Sequence, residues 1–432
     1  MHHAFEDIAP FQRDFLGFVQ SRAALSDAPF QRLRLGFTPV WLVSRPEYIK
    51  DVLKTSEDTI DKGRLIHKLK PIVGNSLLVM SGPEHRRRRD ALHGLLAKGG
   101  AAKYVPQIAA LVRKQAARLA YDGSVFNAHE LSARLALRII CLITFGGDVL
   151  TDADENAIVQ AVKLAEDDLA SEIFQLLPSM PWTSARKRER RREALAMMDV
   201  VVGRILKRAN PDSIVSVLKG LNLPQQDIRD EILTMLLAGH TTTGNATAWL
   251  LYYLATNHEL ADDIREEAFK ASGVSGDLDP GRLSGAKQSY GLIRETLRLW
   301  PSSHWFSRDV KSDVIIGGQQ LRRGDILIIS PWQMHRDPRF WPRADEFDVQ
   351  RDYGQPAYVP FGAGPRACLG MGVAMLEMQV IALELASSFC IGLKGGPKVA
   401  RPKASITLVP PKMEMTFVVR DADTRSDRTI AA

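Results

Sequence analysis

The sequence predicts a mainly α-helical protein with small β-sheets near both chain ends, folded as one interleaved unit. Three observations carry this. From Pro83 to about Leu254, apolar residues recur at helical spacing. Short strand-like runs punctuated by glycine and proline precede that stretch and return after Pro301. No internal repeat or linker divides the chain, so the roughly three domains that length alone suggests at about 150 residues each give way to one.

Residues 30–35 and 39–44 read as strands around a turn at Gly36, followed by a helix over 46–54. Leu131, Leu135, Ile139, Leu142 and Ile143 mark one helix. Ile228, Ile232, Met235, Leu236 and Leu250 mark a long one after Pro224, with Pro211, Gly220 and Pro224 as breakers. A helix over 289–300 stops before Pro301. Strands over 314–316 and 326–330 flank Gly317–Gly318, a hairpin signal. A meander rich in proline and arginine covers 337–364, and a last helix runs from near Cys368 to about Phe389. Residues 405–419 alternate like a β-hairpin broken at Pro410–Pro411. The expected division is an N-terminal segment, 1–29, one domain, 30–420, and a polar, disordered tail, 421–432.

With 57 Lys+Arg against 50 Asp+Glu the net charge is +7, and the 45% hydrophobic and 25% charged fractions are those of an ordinary globular protein. Such a charge suits docking of an acidic protein at least as well as nucleic acid. The run 186–193 has no aromatic interleaving and reads as a solvated helix start, so no nucleic-acid partner is expected. Three cysteines, Cys141, Cys368 and Cys390, make no disulfide framework and fit a reducing cytoplasm. Cys141 and Cys390 are expected in apolar helices as structural residues. Glu6, Asp7, Arg13 and Asp14 leave no apolar leader, and no apolar run reaches the roughly 20 residues of a membrane span. The expectation is a cytoplasmic monomer without a membrane anchor.

Residues 361–370 read F-G-A-G-P-R-A-C-L-G. Phe361, Gly362, Gly364, Arg366, Cys368 and Gly370 fill the fixed positions of F-G-x-G-x-R-x-C-x-G, a match expected by chance on the order of 10⁻⁵ in a chain this long. The segment resembles the haem-binding signature of the cytochrome P450 family. A lone cysteine is more often a buried structural residue, but here the resemblance implies an axial thiolate at Cys368, which donates electron density to iron and favours O–O cleavage. Glycines at 362 and 364 let backbone N–H groups point at the sulfur. Gly370 lets the next helix pass close to the porphyrin, its N-terminus lending positive dipole, while Phe361 shields the loop. Arg366 suits a propionate through paired hydrogen bonds.

Further segments resemble the same family. Glu295-Thr296-Leu297-Arg298 matches E-x-x-R, in which i and i+3 share a helix face; Arg351 would complete a fold-locking triad with Glu295 and Arg298. His85 to Arg89 matches H-x-x-x-R, with His85 and Arg89 toward a propionate and Arg86 to Arg88 outward. Arg308 matches another propionate partner. Ala238-Gly239-His240-Thr241-Thr242-Thr243 matches the oxygen-activating turn, with Ala238 and Gly239 close over the iron and Thr242 as the oxygen-side alcohol. The acid slot holds Thr241, a departure: a hydroxyl relays a proton but supplies none at pH 7, so His240, ordinarily near neutrality, is a candidate proton source.

The resemblance implies haem b (iron protoporphyrin IX) and insertion of one oxygen atom from O2 into a hydrophobic small molecule such as a terpenoid, steroid or fatty acid. The pocket would draw on 66–78, 173–182, Leu236, Leu237, 302–306 and 405–407, with His304 and Trp305 as polar contacts. No reductase is expected in the chain, so electrons would come from a separate ferredoxin or flavodoxin with its NAD(P)H reductase. Two other readings stay open: a haem-thiolate peroxygenase or isomerase needing no redox partner, and a non-enzymatic haem sensor.

Overall fold

The helical stretch resolves into α1 (Gly82–Leu96), α2 (Val105–Tyr121), α3 (Ala128–Phe145), α4 (Asp152–Phe174), α5 (Pro181–Leu206) and α6 (Gln225–Thr256). After it come α7 (His258–Ala271), α8 (Lys287–Leu299) and α9 (Met371–Ser388). The structure, a computed structural model, describes residues 2–121, 123–174, 181–274, 276–398 and 400–420. The expected tail, 421–432, and residues 175–180 of the expected pocket segment lie outside the described residues.

Local chemistry sets the helix ends. The Asn127 side chain accepts from the His129 N–H and caps α3, which stops at the left-handed Gly146 (φ 77°). Helix α6 starts directly after Pro224, and α8 stops at Leu299 because Trp300, next to Pro301, is pushed out of the helical region (φ −129°, ψ 60°). Helix α6 crosses α3 closely. A Cβ on Gly244 would lie 2.8 Å from the Ala133 Cα, and one on Gly239 2.8 Å from the Ile140 side chain. Below the crossing Trp249 stacks on Trp300 at 3.8 Å, and the Trp300 indole N–H donates to the Tyr253 hydroxyl at 2.9 Å. These contacts fix α6 to the end of α8. Helix α9 is long and apolar enough to cross a membrane by length and composition, but most of it is buried in the core with α2, α6 and α7.

Five strands, β1 (Phe30–Leu33), β2 (Val40–Val43), β3 (Ile60–Asp61), β4 (Phe306–Val310) and β5 (Ile326–Ile329), form a sheet in the order β1-β2-β5-β4-β3. β1 and β2 are antiparallel with Phe30 opposite Val43, and β2 and β5 are parallel with Val40 opposite Ile326. This corrects one expectation. Across Gly317–Gly318 the partner of Val314–Ile316 is Gln319–Leu321. All four residues of β5 are buried because both faces are covered: Leu327 and Ile329 join one apolar cluster, Ile326 and Ile328 another.

The C-terminal hairpin is also corrected. Lys403–Ala404 pairs with Leu408–Val409, while Glu414–Val419 pairs with Phe389–Leu393 and Phe126–Asn127, so Pro410–Pro411 separates two pairings. Cys390 therefore lies in a strand and is exposed, whereas Cys141 is buried in α3 as expected. Order also begins earlier than expected. Two helices, Ile8–Arg13 and Phe15–Ala24, pack Phe11, Phe15 and Leu16 against Leu33, Leu42, Ile328 and Trp332.

Candidate active site

The cysteine loop closes on itself: the Cys368 N–H donates to the Phe361 carbonyl at 2.9 Å. Gly362 and Gly364 hold φ of 67° and 70°, the left-handed region that favours glycine. At Gly364 a Cβ would also fall 2.2 Å from the Leu53 carbonyl oxygen. Burial pushes the Cys368 thiol up, while the Gly370 N–H and the Arg89 charge act the other way. Yet Cys368 is exposed by surface. A side chain enclosed by protein and still accessible lines an internal hollow. A Cβ on Gly370, just ahead of α9, would stand 4.0 Å from the sulfur. Among the described residues no three His, Cys, Asp or Glu side chains gather as they would for a metal ion, so Cys368 stands as a single sulfur donor.

Behind this loop the structure brings Glu295, Arg298 and Arg351 together. Arg298 donates twice to Glu295, both at 2.8 Å, and Arg351 Nε donates to Glu295 Oε1 at 3.1 Å. Arg298 also donates to the carbonyls of His335, Ala344 and Glu346, and the Tyr353 hydroxyl to Glu295. Glu295 and Arg298 are wholly buried. His335 extends the network toward the cysteine. Its Nδ1 lies 3.1 Å from the Arg298 carbonyl, and its Nε2 accepts from the Val359 N–H at 3.0 Å. Those partners require the neutral tautomer with the proton on Nδ1, and burial, pushing its pKa down to about 3, agrees.

On one flank of the cysteine loop gathers a basic cluster. Arg89 donates to the Ala367 carbonyl at 2.8 Å, tying α1 to the cysteine loop. Among the described residues buried Arg308 donates only to its neighbour's carbonyl, Ser307 O, and burial, then Arg366, lower it to about 10. Lys62 donates to the carbonyls of Leu77 and Leu78; burial, then Arg366 and Arg308, push it down to about 7. His85 is pushed to about 3 by burial, then by Arg366, Lys62 and Arg89. Arg366 is already engaged: it donates to Met80 O and Ser81 Oγ, both at 2.7 Å, and lies 2.7 Å from Glu57 and 3.3 Å from Asp61. Cations that lower one another's pKa accept an added anion readily, as a pair of propionates would be.

Opposite features appear on α6. Most of this helix is buried, but Ala238 is exposed, and Met235 and Thr242 partly so. The three recur at i, i+3 and i+7 and form one accessible stripe on a core helix. In that stripe the Thr242 hydroxyl donates to the Ala238 carbonyl at 2.6 Å, and the Ser302 hydroxyl donates to the Thr242 carbonyl at 2.6 Å. An accessible sulfur, a basic cluster without enough carboxylates and an accessible helix stripe together fit a flat, dianionic macrocycle.

The comparisons agree. The Cytochrome P450 family's sequence model matches residues 19–417. The chain belongs to the cytochrome P450 family. Cyclooctatin synthase of Streptomyces melanosporofaciens is 27% identical over 92% of this chain and 90% of its own. Putative cytochrome P450 132 of Mycobacterium tuberculosis is 28% identical over 85% of each chain. Cytochrome P450 4V2 of Pongo abelii is 30% identical over 82% of this chain and 75% of its own. The crystal structure of a cytochrome P450 (CYP102L1) superposes with a TM-score of 0.81 at 24% identity, over 94% of this chain and 99% of that one. This cytochrome P450 is an oxidoreductase, a haem-thiolate mono-oxygenase that binds haem b.

Several site expectations need correcting in this cytochrome P450. Gly239 faces Ile140 of α3, so its missing Cβ serves helix packing. His240 is buried with neither ring nitrogen hydrogen-bonded, and burial, then His129, push it down to about 4. A group that is neutral at pH 7 with so low a pKa is a poor proton source, which removes the premise of near-neutrality. Arg88 points inward: it binds Glu84, Asp227 and Glu231 and the Asn75 carbonyl. Arg86 and Arg87 are exposed as expected. His304 is buried edge-on against Phe15 at 5.6 Å with neither ring nitrogen hydrogen-bonded. In the 186–193 run Arg191 is buried while Arg188, Glu189, Arg190 and Arg192 are exposed. Lys62, His335 and Glu377 were not singled out from the sequence, and Ser302 was expected only as one of the pocket-lining residues 302–306. Glu377 of α9 is wholly enclosed beside Thr243, and burial drives its carboxyl well up. A lone Lys, Ser or Glu carries no local pattern; His335, three residues before Pro338 in the meander, offered only its spacing.

Proposed function

We propose that Cys368 would hold the iron of haem b as a thiolate and that this cytochrome P450 inserts one oxygen atom from O2 into a hydrophobic small molecule of terpenoid, steroid or fatty-acid type. The observation that carries the reading is the accessible Cys368 sulfur, held by the Gly370 N–H in a loop that only glycines at 362 and 364 can form. Bound haem supplies the reductive activation of O2. Phe361 packs beside the loop, and the partly buried Phe361 and Leu369 join the main core. Arg89 and Arg308, with neutral His85, would hold the propionates, and Arg366, already paired with Glu57 and Asp61, would add its charge from behind. On α6, Ala238 leaves room over the ring. The Thr242 proton is committed to the Ala238 carbonyl, so its oxygen faces the site as an acceptor and orders a water, with Thr241 beside it.

The substrate class rests on the residues that meet above the site. Ile66, Leu69, Ile72, Leu78, Leu237 and Ile406, from three of the expected pocket segments, form one apolar cluster. A polar substrate would lose hydration there without compensation. Electrons are proposed to come from a separate ferredoxin or flavodoxin with its NAD(P)H reductase; the net charge of +7 favours such an acidic carrier. The protein is proposed to act as a cytoplasmic monomer, its described cysteines being free. The test is Cys368→Ala. Reduced wild-type protein under CO should show the red-shifted Soret band of a thiolate ligand, and the variant should not. A variant that keeps the band overturns the assignment.

A further inference from the structure

Resting on the mono-oxygenase reading, we propose that Glu166 of α4 is the proton-delivering carboxyl behind Thr241, taking up from a neighbouring helix the role of the acid that α6 lacks. Thr241 is buried, and its hydroxyl has no hydrogen bond of ordinary length and angle to any described residue. A buried hydroxyl without a partner costs roughly 1–3 kcal/mol, so its position calls for a reason. Helix α4 approaches at this point: Ala165 shares an apolar cluster with Leu237, one turn ahead of Thr241. The next residue, Glu166, sits beside the Thr241 hydroxyl, which favours its charged form.

Burial and one further group also act on the Glu166 carboxyl. Burial pushes it up most, and Asp167 pushes it up further, so that it stands at about 7. A carboxyl there is protonated about half the time at neutral pH, the poise of an efficient proton-transfer group. Glu166 is also partly exposed, so water can reload it. The transfer balances without any change of net charge. Glu166 gives its proton to the Thr241 oxygen as that hydroxyl passes its own proton towards the water on Thr242, and solvent then reprotonates Glu166. The other candidates are mismatched. His240, at about 4, is already deprotonated at pH 7, and Glu377, driven well up beside Thr243, holds its proton.

The test is infrared difference titration of the holoenzyme. Wild type should show a carboxyl band titrating near pH 7 that is absent from Glu166→Gln. In Thr241→Val its midpoint should rise, because the group favouring the carboxylate is gone. A purely structural Glu166 would show neither the near-neutral midpoint nor the response to Thr241. In parallel, NAD(P)H oxidation supported by a ferredoxin and its reductase should slow in Glu166→Gln by about 10-fold or more, below the ~10²-fold usual for a group touching the reacting atoms. Its solvent isotope effect should enlarge, and Glu166→Asp should restore both in part. A band titrating in the ordinary carboxylate range, or one indifferent to Thr241→Val, overturns the proposal. Failure of the thiolate reading would show instead in the CO spectrum and leave the infrared result untouched.

Discussion

The two sides of the cysteine loop handle buried polar atoms in opposite ways. Around Glu295 the network is closed: Arg298 spends its guanidinium on one carboxylate and three carbonyls, and Glu295 receives two arginines, a tyrosine hydroxyl and the Asp348 N–H. Along 240–241 of α6 the polar atoms stay unmatched: both His240 nitrogens and the Thr241 hydroxyl lack hydrogen-bond partners among the described residues. A satisfied network costs least and moves least, which suits a frame. Unmatched groups are expensive to keep, and their cost is tolerated where protons or guests have to pass. The difference separates a fully paired frame from a stretch of α6 whose buried polar atoms are left open, within one core.

The strongest way to break this comparison is Glu295→Ala. It strands a buried guanidinium, so unfolding free energy should fall by about 3–5 kcal/mol in a denaturant titration; a loss within the error of the fit would make the network an ornament of the fold. Next comes the helix crossing that holds the unmatched segment in place. Gly244→Ala drives a methyl onto the Ala133 backbone and should cost about 1–3 kcal/mol. Gly94→Ala, whose Cβ meets open space in α1, is the control and should be neutral or mildly stabilising. Equal losses at both positions would show that close approach is not the cause. The smallest effect sharpens the unmatched side. Burial pushes His304 down from 6.5 to about 3 in the folded protein. Between those values the unfolded chain binds a proton that the folded one refuses, so its contribution to stability is lost as pH falls from about 6.5 towards 3. His304→Phe removes that dependence. Relative to the variant, wild type should lose stability steadily as pH falls from 6 to 4, read from urea midpoints; parallel profiles would place the histidine in contact with water.

Legibility in the sequence followed the range of the interaction. Gly362, Gly364 and Cys368 were readable because a ten-residue loop carries its own reasons. Glu295 and Arg298 were readable because three residues on a helix are neighbours. Arg88 was not: four consecutive arginines say nothing about which one meets Asp227 and Glu231 across the core. The turn at Gly317–Gly318 was evident, yet Ile326–Ile329 pairs with Phe306–Val310 on one side and, on the other, with a parallel strand almost 290 residues away in sequence, and parallel pairing leaves no turn to recognise. Glu166 belongs with these. Its neighbour Thr241 lies on another helix, and a glutamate in an amphipathic stretch reads as an ordinary solvated residue.

His335 gives the frame a thermodynamic meaning. One imidazole is clasped between the carbonyl of Arg298 and the amide of Val359, two residues ahead of the cysteine loop. The loop thus has no hinge separating it from α8. Grip on the prosthetic group and integrity of the helical body belong to a single cooperative unit, so Soret absorbance and far-ultraviolet circular dichroism should melt together rather than in sequence.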